Sequence, residues 1–284
     1  MLTLGEIQRG LRGFLEASPH NSVSERRDLK IYDEPLVGVA SARDPLFETL
    51  KESSVIGAHH LSPGQWLTGA ESVVSYFLPF SQRIRKANAT ATGLPAPEWL
   101  CGRYEGEALN DQVRGFLLLE FVRNGCRALS PMLGMDPFRR GDEGYERLVD
   151  PRVVVGRLTS NWSERHVAFI AGLGTFSLTR GLITARGVAG RFGSVITDQR
   201  LDPTPRKYQE ISEYCIRCGV CFERCPVGAI THDGKDNELC DDISDQNKLL
   251  FAPRHGCGLC NTGVPCEDKR PPARRGKGSR AAAV

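Results

Sequence analysis

The sequence lacks any apolar run near the ~18 residues that a membrane-spanning helix requires. It also shows no signal-peptide pattern, since acids interrupt residues 1–18 and no apolar core stands there, and no twin-arginine export signal precedes that stretch. We therefore expect a cytoplasmic protein that does not bind a membrane. Residues 1–18 instead have helical spacing, which predicts an amphipathic helix with a capping box of Thr3 and Glu6 and an apolar face of Leu4, Ile7, Leu11 and Phe14.

A strong charge of one sign is also missing, because the formal net charge is only +3. Six basic residues and no acid lie in residues 269–284, so the rest of the chain has a net charge of −3. A body with net negative charge lacks the general basic surface that favours nucleic-acid binding. The Pro, Gly, Ala and basic content of 269–284 predicts a disordered tail. Contact with RNA is one role for such a tail, and a solubilising end is the role we favour.

Cysteine, in contrast, is abundant, with ten residues. Cytoplasmic cysteines seldom form disulfides, so this number indicates metal or redox chemistry. The first group follows the bacterial ferredoxin spacing, in which two-residue gaps let three thiolates surround one corner of an iron–sulfur cubane. In two-cluster ferredoxins the fourth cysteine of the run, followed by proline, binds the other cluster. This group is Cys215, Cys218, Cys221 and Cys225, with Pro226 directly after it.

A second group supplies the ligands that this rule requires. We predict that Cys215, Cys218, Cys221 and Cys266 hold one 4Fe–4S cluster, and that Cys225, Cys240, Cys257 and Cys260 hold another. Structural zinc is the alternative, since it also uses Cys-x2-Cys pairs, but the tight triple of cysteines and the Cys-Pro favour iron–sulfur. The remaining two, Cys101 and Cys126, are interpreted as small apolar residues without a role in either site.

The rest of the chain alternates between predicted strands and helices. Strands are expected at 35–41, 72–80 and 152–158, a hairpin-like pair at 181–198, and a long surface loop at 81–100. Helices are expected at 45–52, at 111–126 with a C-cap at Asn124 and Gly125, and at 161–174 with a capping box of Asn161 and Glu164. The fold class is therefore α/β or α+β, with a body at 1–205, a ferredoxin-like module of two clusters at 206–268, and the tail at 269–284.

Several of these pieces resemble the epoxyqueuosine reductase and reductive dehalogenase superfamily. They are both cysteine groups and the segments GAESVVSYFLPF (69–80), SERHVAFIAGLG (163–174) and GLITARGVAGRFGSVITD (181–198). The resemblance implies a nitroreductase-like body that binds base-off cobalamin, and a module that passes electrons to cobalt so that a C–O or C–halogen bond is broken. It also implies a low-potential electron donor such as ferredoxin or flavodoxin, and a small-molecule substrate.

The resemblance also implies roles for individual residues. Arg165 matches an arginine of the family, and we expect Gly172, Gly174, Gly193 and Ser194 to lie near the corrin. The position of the family's catalytic aspartate is Leu158 here, which cannot donate a proton. His166 is the replacement that we consider. The missing aspartate and the acidic body disfavour tRNA as the substrate.

Two functions follow from these observations. The leading one is a cobalamin-dependent iron–sulfur reductase of a small-molecule substrate. The alternative is a non-catalytic, ferredoxin-like electron carrier or activator of a corrinoid or redox partner. The large body at 1–205 favours the reductase, because clusters alone need only the module. The leucine at position 158 favours the carrier.

Overall fold

The computed structural model describes residues 1–133, 152 and 159–272. Within them, an antiparallel sheet with helices on both faces precedes the cysteine-bearing segment. The helices are α1 (Leu4–Ala17), α2 (Leu46–Thr49), α3 (Pro63–Trp66), α4 (Gln82–Thr90), α5 (Pro97–Arg123), α6 (Glu164–Ile170), α7 (Val220–Glu223) and α8 (Asn237–Phe251), with short 3-10 turns at Pro19–Asn21, Ser24–Arg26 and Leu259–Asn261. The strands are β1 (Ser22–Val23), β2 (Leu29–Lys30), β3 (Leu36–Ser41), β4 (Ser72–Pro79), β5 (Ala128–Leu129), β6 (Gly174–Phe176), β7 (Leu182–Thr184), β8 (Gly190–Thr197), β9 (Ile230–Thr231) and β10 (Gly234–Lys235).

The central sheet has the strand order β3-β4-β8-β5, and every pairing in it is antiparallel. All eight residues of β4 are buried, because both faces of the sheet are covered. Successive side chains of a strand point to opposite faces, and β4 accordingly contributes to two cores. Val74, Tyr76 and Leu78 pack with α1 and α5. Val73 lies in the other core, with residues of α2, α3 and α6.

Several sequence predictions are confirmed. Strands β3 and β4 occupy the two segments predicted as buried strands, at 35–41 and 72–80. Helix α1 begins with the predicted capping box, in which the Thr3 hydroxyl accepts a hydrogen bond from the Glu6 backbone N–H and the Glu6 carboxylate accepts one from the Thr3 N–H. The C-cap predicted at Asn124 is present, and Gly125 follows it with a φ of 76°.

Other predictions are wrong, each for a local reason. Most of the segment 81–100 is helical, because Ser81 caps α4 through its hydroxyl and α5 already starts at Pro97. Helix α6 has Ser163 as its N-cap, so the predicted capping box of Asn161 and Glu164 does not form. The side chain of Asn161 donates instead to the Arg152 carbonyl, at 2.7 Å.

The segment 181–198 is also arranged differently from the predicted hairpin. Strand β7 pairs with β6, whereas β8 pairs with β4 and β5 in the central sheet. The turn between β7 and β8 is at Gly187, where a side chain would overlap the backbone of Glu267. The chain therefore passes from one sheet to another at this point.

Three predictions fall outside the described residues. They are the strand at 152–158, of which only Arg152 is described, the position of Leu158, and nearly all of the tail. Among the helices that the structure does describe, none is long and apolar enough to cross a membrane.

Candidate functional site: two groups of cysteines beside helix α5

The first cysteine run, 215–226, starts as an open loop at 215–219, continues through the short helix α7, which carries Cys221, and ends in a turn with Cys225 and Pro226. Arg217 (φ 49°) and Gly219 (φ 84°) have left-handed backbone conformations, which let the loop turn sharply between its cysteines. No residue of α7 is buried. The run therefore has little apolar core of its own, and its cysteines are all half-buried.

Cys266 joins this loop from the far end of the module. The Val188 N–H donates a hydrogen bond to the Cys266 carbonyl at 2.9 Å, which fixes this cysteine to the turn before β8. Burial, together with the neighbouring Cys215, Cys218 and Cys221 thiolates, raises the pKa of the Cys266 thiol to about 12. The same neighbours act on Cys221, whose pKa burial raises to about 11. These four thiols are thus close enough to repel one another when ionised.

The other four cysteines line a single cavity. Its wall also includes Pro226, Lys235 and Gly258, and the four cysteines are Cys225, Cys240, Cys257 and Cys260. Cys240 lies in the first turn of α8, which Asp236 caps by accepting hydrogen bonds from the N–H groups of the next residues. The Cys225 thiol accepts a hydrogen bond from the Ala229 N–H at 3.2 Å.

The electrostatics of this second group follow from its burial. Burial raises the pKa of Cys260 to about 12, the Lys235 ammonium opposes the rise, and the Cys257, Cys240 and Cys225 thiolates add to it. Burial likewise raises the pKa of Cys257, which the Leu259 N–H and the Arg103 guanidinium lower in part. Four thiolates in one cavity need positive charge among them. An iron–sulfur core supplies that charge, and the residues present fit it.

Within residues 1–133, 152 and 159–272, no three His, Cys, Asp or Glu side chains converge as they would around a single metal ion.

The module is tied to the body by a small number of buried polar contacts. Asn88, fully buried at the end of α4, donates to the Thr262 hydroxyl at 3.0 Å and accepts from the Ala96 N–H at 3.0 Å. Arg224 donates to the Leu259 carbonyl at 2.9 Å and to the Asn88 carbonyl at 3.0 Å. Both cysteine groups are therefore positioned on the same end of helix α4.

Helix α5 provides the wall behind the second group. A Cβ atom at Gly258 would overlap the Trp99 ring, and one at Gly256 would overlap the Arg103 side chain. The loop that carries Cys257 therefore lies directly against the helix. Both glycines also have positive φ, which is a second reason why a side chain is unfavourable at these positions. The Asn247 amide donates to the Gly256 carbonyl at 3.0 Å and holds the loop from the side of α8.

Comparison with known proteins agrees with this arrangement. A family model described as a 4Fe-4S binding domain matches residues 208–231. The trichloroethene reductive dehalogenase of Dehalococcoides mccartyi is 39% identical over 102 residues, covering 34% of this chain and 18% of that protein. The tetrachloroethene reductive dehalogenase of Dehalobacter restrictus is 32% identical over 109 residues, covering 35% of this chain and 20% of that protein. The chain spans about a fifth of the length of these curated relatives.

Solved structures show the same fold. Epoxyqueuosine reductase from Bacillus subtilis has a TM-score of 0.51 at 17% identity, over 94% of this chain and 67% of that one. A catabolic reductive dehalogenase in complex with 3-bromo-4-hydroxybenzoic acid has a TM-score of 0.53 at 15% identity, over 83% of this chain and 30% of that one. The predicted superfamily resemblance is confirmed. The mixed helix and strand content and the 4Fe–4S binding motif are confirmed with it, while the nitroreductase-like description of the body stays a prediction.

The residues that the superfamily implies for cobalamin lie around α6 and β8, and most of them are engaged by the protein itself. Gly172 ends α6 with a φ of 80° and faces the Thr204 carbonyl. A Cβ atom at Gly174 would overlap the Ile183 carbonyl, and one at Gly193 would overlap the Tyr76 ring. At these three positions the atoms that require glycine are protein atoms.

Ser194 is fully buried in β8. Its hydroxyl donates to the Glu164 carboxylate at 2.7 Å and accepts from the Trp162 indole N–H at 3.0 Å. Arg165 differs, because its side chain is exposed and donates one hydrogen bond, to the Arg180 carbonyl at 2.8 Å. Of the five residues implied for cobalamin, Arg165 is the one whose side chain is open to a ligand.

His166 is placed beside Arg165 but is chemically unsuited to be an acid. Its Nδ1 lies 2.7 Å from the Ser163 hydroxyl, and its ring packs on Phe176. Burial, together with the Arg165 charge, lowers the pKa of His166 to about 3. The imidazole is therefore neutral near pH 7 and has no acidic proton to donate at that pH.

Sequence reasoning missed the role of Glu164. Its pKa is raised by burial, against the effects of the Arg114 guanidinium and the Ser194 hydroxyl, and its Oε1 is buried without a hydrogen-bond partner among the described residues. The sequence pattern predicts Glu164 only as part of a capping box and does not reveal that its carboxylate accepts a hydrogen bond from Ser194. Arg103 was missed as well, although it stands one helical turn after Trp99 in the sequence.

Proposed function

We propose that this chain is an iron–sulfur oxidoreductase that carries two 4Fe–4S clusters and delivers electrons to a cobalamin bound on its body. The observation that carries the proposal is the grouping of eight half-buried thiols into two sets of four. The first cluster would be held by Cys215, Cys218, Cys221 and Cys266. The second would be held by Cys225, Cys240, Cys257 and Cys260.

The clusters would supply one-electron transfer, and the chain's own groups would set how readily they accept an electron. Hydrogen bonds and nearby positive charges stabilise the reduced, more negative form of a cluster. At the second site these groups are the Ala229 N–H on Cys225, Lys235 at the cavity wall and Arg103 behind the loop. The module would thus serve as the electron entry to the body.

The cobalamin part of the proposal rests on the superfamily resemblance and on the exposed side chain of Arg165. A reduced corrin supplies the strong nucleophile or electron donor needed to break a carbon–oxygen or carbon–halogen bond. Gly172, Gly174, Gly193 and Ser194 are engaged by protein atoms and offer it no free polar group. Their role would be to allow the close packing of the end of α6 and of strands β6 and β8 in the region of Arg165.

A small organic molecule with a reducible carbon–halogen or carbon–oxygen bond is the proposed substrate class. The names of the relatives support it, since they are dehalogenases of chlorinated ethenes, a dehalogenase in complex with a bromophenol acid and an epoxyqueuosine reductase. A tRNA substrate remains disfavoured by the net charge of −3 on residues 1–268. A low-potential ferredoxin or flavodoxin would be the electron donor, and the cytoplasm the location.

Anaerobic reconstitution with iron and sulfide tests the two clusters. We expect about eight iron atoms and about eight sulfides per chain. Cys225→Ala should disturb the cluster held with Cys257 and Cys260 and leave the other one intact. Cys126→Ala, at a half-buried cysteine outside both groups, is the matched control and should keep the full iron content. About four iron atoms or fewer in the unaltered chain would contradict the assignment.

Titration with cob(II)alamin tests the reductase directly. We expect its absorption to change to the base-off form on binding, and Arg165→Gln to weaken that binding. If the reconstituted chain shows no change and no binding, the electron-carrier alternative stands in its place. Cluster content is measured on the same samples, so a failure to bind cobalamin is not confused with a failure to load iron.

A further inference from the structure

Arg103 occupies an unusual position between the body and the second cysteine group. It lies on α5, one turn after Trp99, and its side chain fills the space in front of Gly256. The next residue along that loop is Cys257. A guanidinium from the body therefore reaches directly behind the loop that carries a predicted cluster ligand.

Arg103 forms no ion pair within 4.0 Å among the described residues. The Glu107 carboxylate, one turn further along α5, influences it from a greater distance and is itself paired with Arg114 at 2.9 Å and with Arg191 at 3.4 Å. The Nε atom of Arg103 is fully buried and has no hydrogen-bond acceptor among the described residues. Arg103 as a whole is half-buried, but a buried guanidinium N–H without an acceptor is unfavourable, so this position favours an anion nearby.

The second cysteine group provides that anion. Burial, together with the Arg191 charge, lowers the pKa of Arg103 to about 10, against the opposing effects of the Glu107 carboxylate and then of the Cys240 and Cys257 thiolates. A 4Fe–4S core with four thiolates carries net negative charge, and each electron that it accepts adds one more. The guanidinium is thus placed where it stabilises the reduced cluster more than the oxidised one.

We propose that Arg103 sets the reduction potential of the second cluster and holds it at a more positive value than the cysteines alone would give. This inference rests on the two-cluster function proposed above. The step involved is the uptake of one electron by the cluster from the low-potential donor, with no bond made or broken. Arg103 acts through the cluster and is a positioning residue.

The test is a redox titration of the reconstituted full chain, followed by electron paramagnetic resonance. Arg103→Gln should make the potential of the second cluster more negative and leave the first unchanged. Arg103→Lys should restore part of the shift, since it retains the charge without the planar fork. Arg254→Gln is the matched control, because Arg254 lies in the same loop region and pairs with Glu105. It should shift neither potential.

A histidine at this position gives an independent readout within one folded protein. In Arg103→His, the potential of the second cluster should become more negative as pH rises through the imidazole pKa, whereas the unaltered chain should lack that step. This variant decides the question if the glutamine variant does not retain the second cluster.

The outcomes separate the inference from the function on which it rests. If the unaltered chain loads only one cluster or none, the two-cluster function fails. If both clusters load but their potentials are the same in the unaltered chain and in all Arg103 variants, the inference is overturned. Loss of the second cluster in every Arg103 variant also overturns it, in favour of a purely structural arginine.

Discussion

His60 is buried and His166 is half-buried, and both contact Ser163, whose N–H donates to the His60 Nε2 at 3.4 Å and whose hydroxyl lies 2.7 Å from the His166 Nδ1. Burial lowers the pKa of His60 to about 4, and the His59 charge lowers it further. The pKa of His166 is lowered to about 3 by its burial. Both values lie below the ~6.5 of an unfolded histidine. The unfolded chain therefore binds more protons than the folded one between those limits.

This difference fixes how stability depends on pH. The free energy of unfolding should decrease as pH falls from about 6.5 towards 4, because the histidines bind protons in the unfolded state and not in the folded state over this range. Each buried histidine should cost about 2 kcal/mol at pH 5 relative to pH 7. Denaturant unfolding of the reconstituted chain at pH 7 and pH 5, followed by circular dichroism, measures it.

Substitution of His60 isolates its share of that loss. His60→Asn should reduce the difference between the two pH values, while His20→Asn, at an exposed histidine, should leave it unchanged. An unaltered pH dependence in His60→Asn would show that this imidazole does protonate in the folded chain.

Among the contacts between secondary-structure elements, the packing of the loop at 256–258 on α5 leads to a direct test. Gly258→Ala should be destabilising, because the new methyl group would overlap the Trp99 ring and the φ of 68° is unfavourable for a residue with a side chain. We expect a loss of roughly 2–4 kcal/mol and of the iron held by the second group. Thermal unfolding and iron analysis measure the two effects.

Gly115→Ala is the matched control for that substitution. Gly115 lies on the same helix, and a Cβ atom there would meet no other group within 4 Å. Alanine in a helix is favoured over glycine by about 1 kcal/mol, so this variant should be slightly more stable and should keep its iron. Equal stability of the two variants would mean that the loop does not approach α5 as closely as described.

Elements were predictable from sequence where one local rule acted alone. Strand β4 was identifiable from its continuous run of apolar residues, and α1 from its cap and spacing. Two short signals failed where tertiary contacts competed with them. Asn161 is of a residue type that often caps helices, but its side chain donates a hydrogen bond to the Arg152 carbonyl instead. Strand β8 follows β7 closely along the chain but pairs with β4. The Ser75 hydroxyl of β4 also donates to the carbonyl of Gly193 in β8, 118 residues later.

At the scale of the whole molecule, the cysteine segment depends on its metal far more than the body does. The sheet and α5 have large buried apolar clusters, whereas α7 has no buried residue and α8 buries only Asn247. Anaerobic removal of iron by a chelator should therefore unfold 212–268 and leave the sheet protected, since metal binding is part of the folding free energy of such modules. Hydrogen exchange measured by mass spectrometry distinguishes the two regions.

Uniform exchange rates before and after iron removal would contradict this division. Leu11→Ala offers a reference, because Leu11 is fully buried in the core of the body on α1 and should alter exchange there without affecting the module.

The candidate site was only partly predictable, for a physical reason. Ligand spacing is a local property, so the two cysteine groups could be inferred from the order of residues along the chain. Lys235 lines the cavity of the second group and Arg103 lies behind the loop of Cys257, and no local sequence pattern predicts that either cation stands near these cysteines. The glycines expected beside a corrin illustrate the reverse case, in which a sequence feature is present but the group next to it is part of the protein. A glycine shows that some group approaches closely, and the sequence does not say whether that group is a ligand or Tyr76.

Arg224 has a consequence for the order in which the chain assembles. It lies between Cys221 and Cys225, yet its guanidinium donates to Leu259 and to Asn88, which are 35 and 136 residues away. Contacts of such long sequence separation form slowly, because the intervening chain must be ordered first. The body must therefore present the end of α4 before the two cysteine runs can close on each other. Synthesis from the N-terminus delivers them in that order, with α4 made before the cysteine runs.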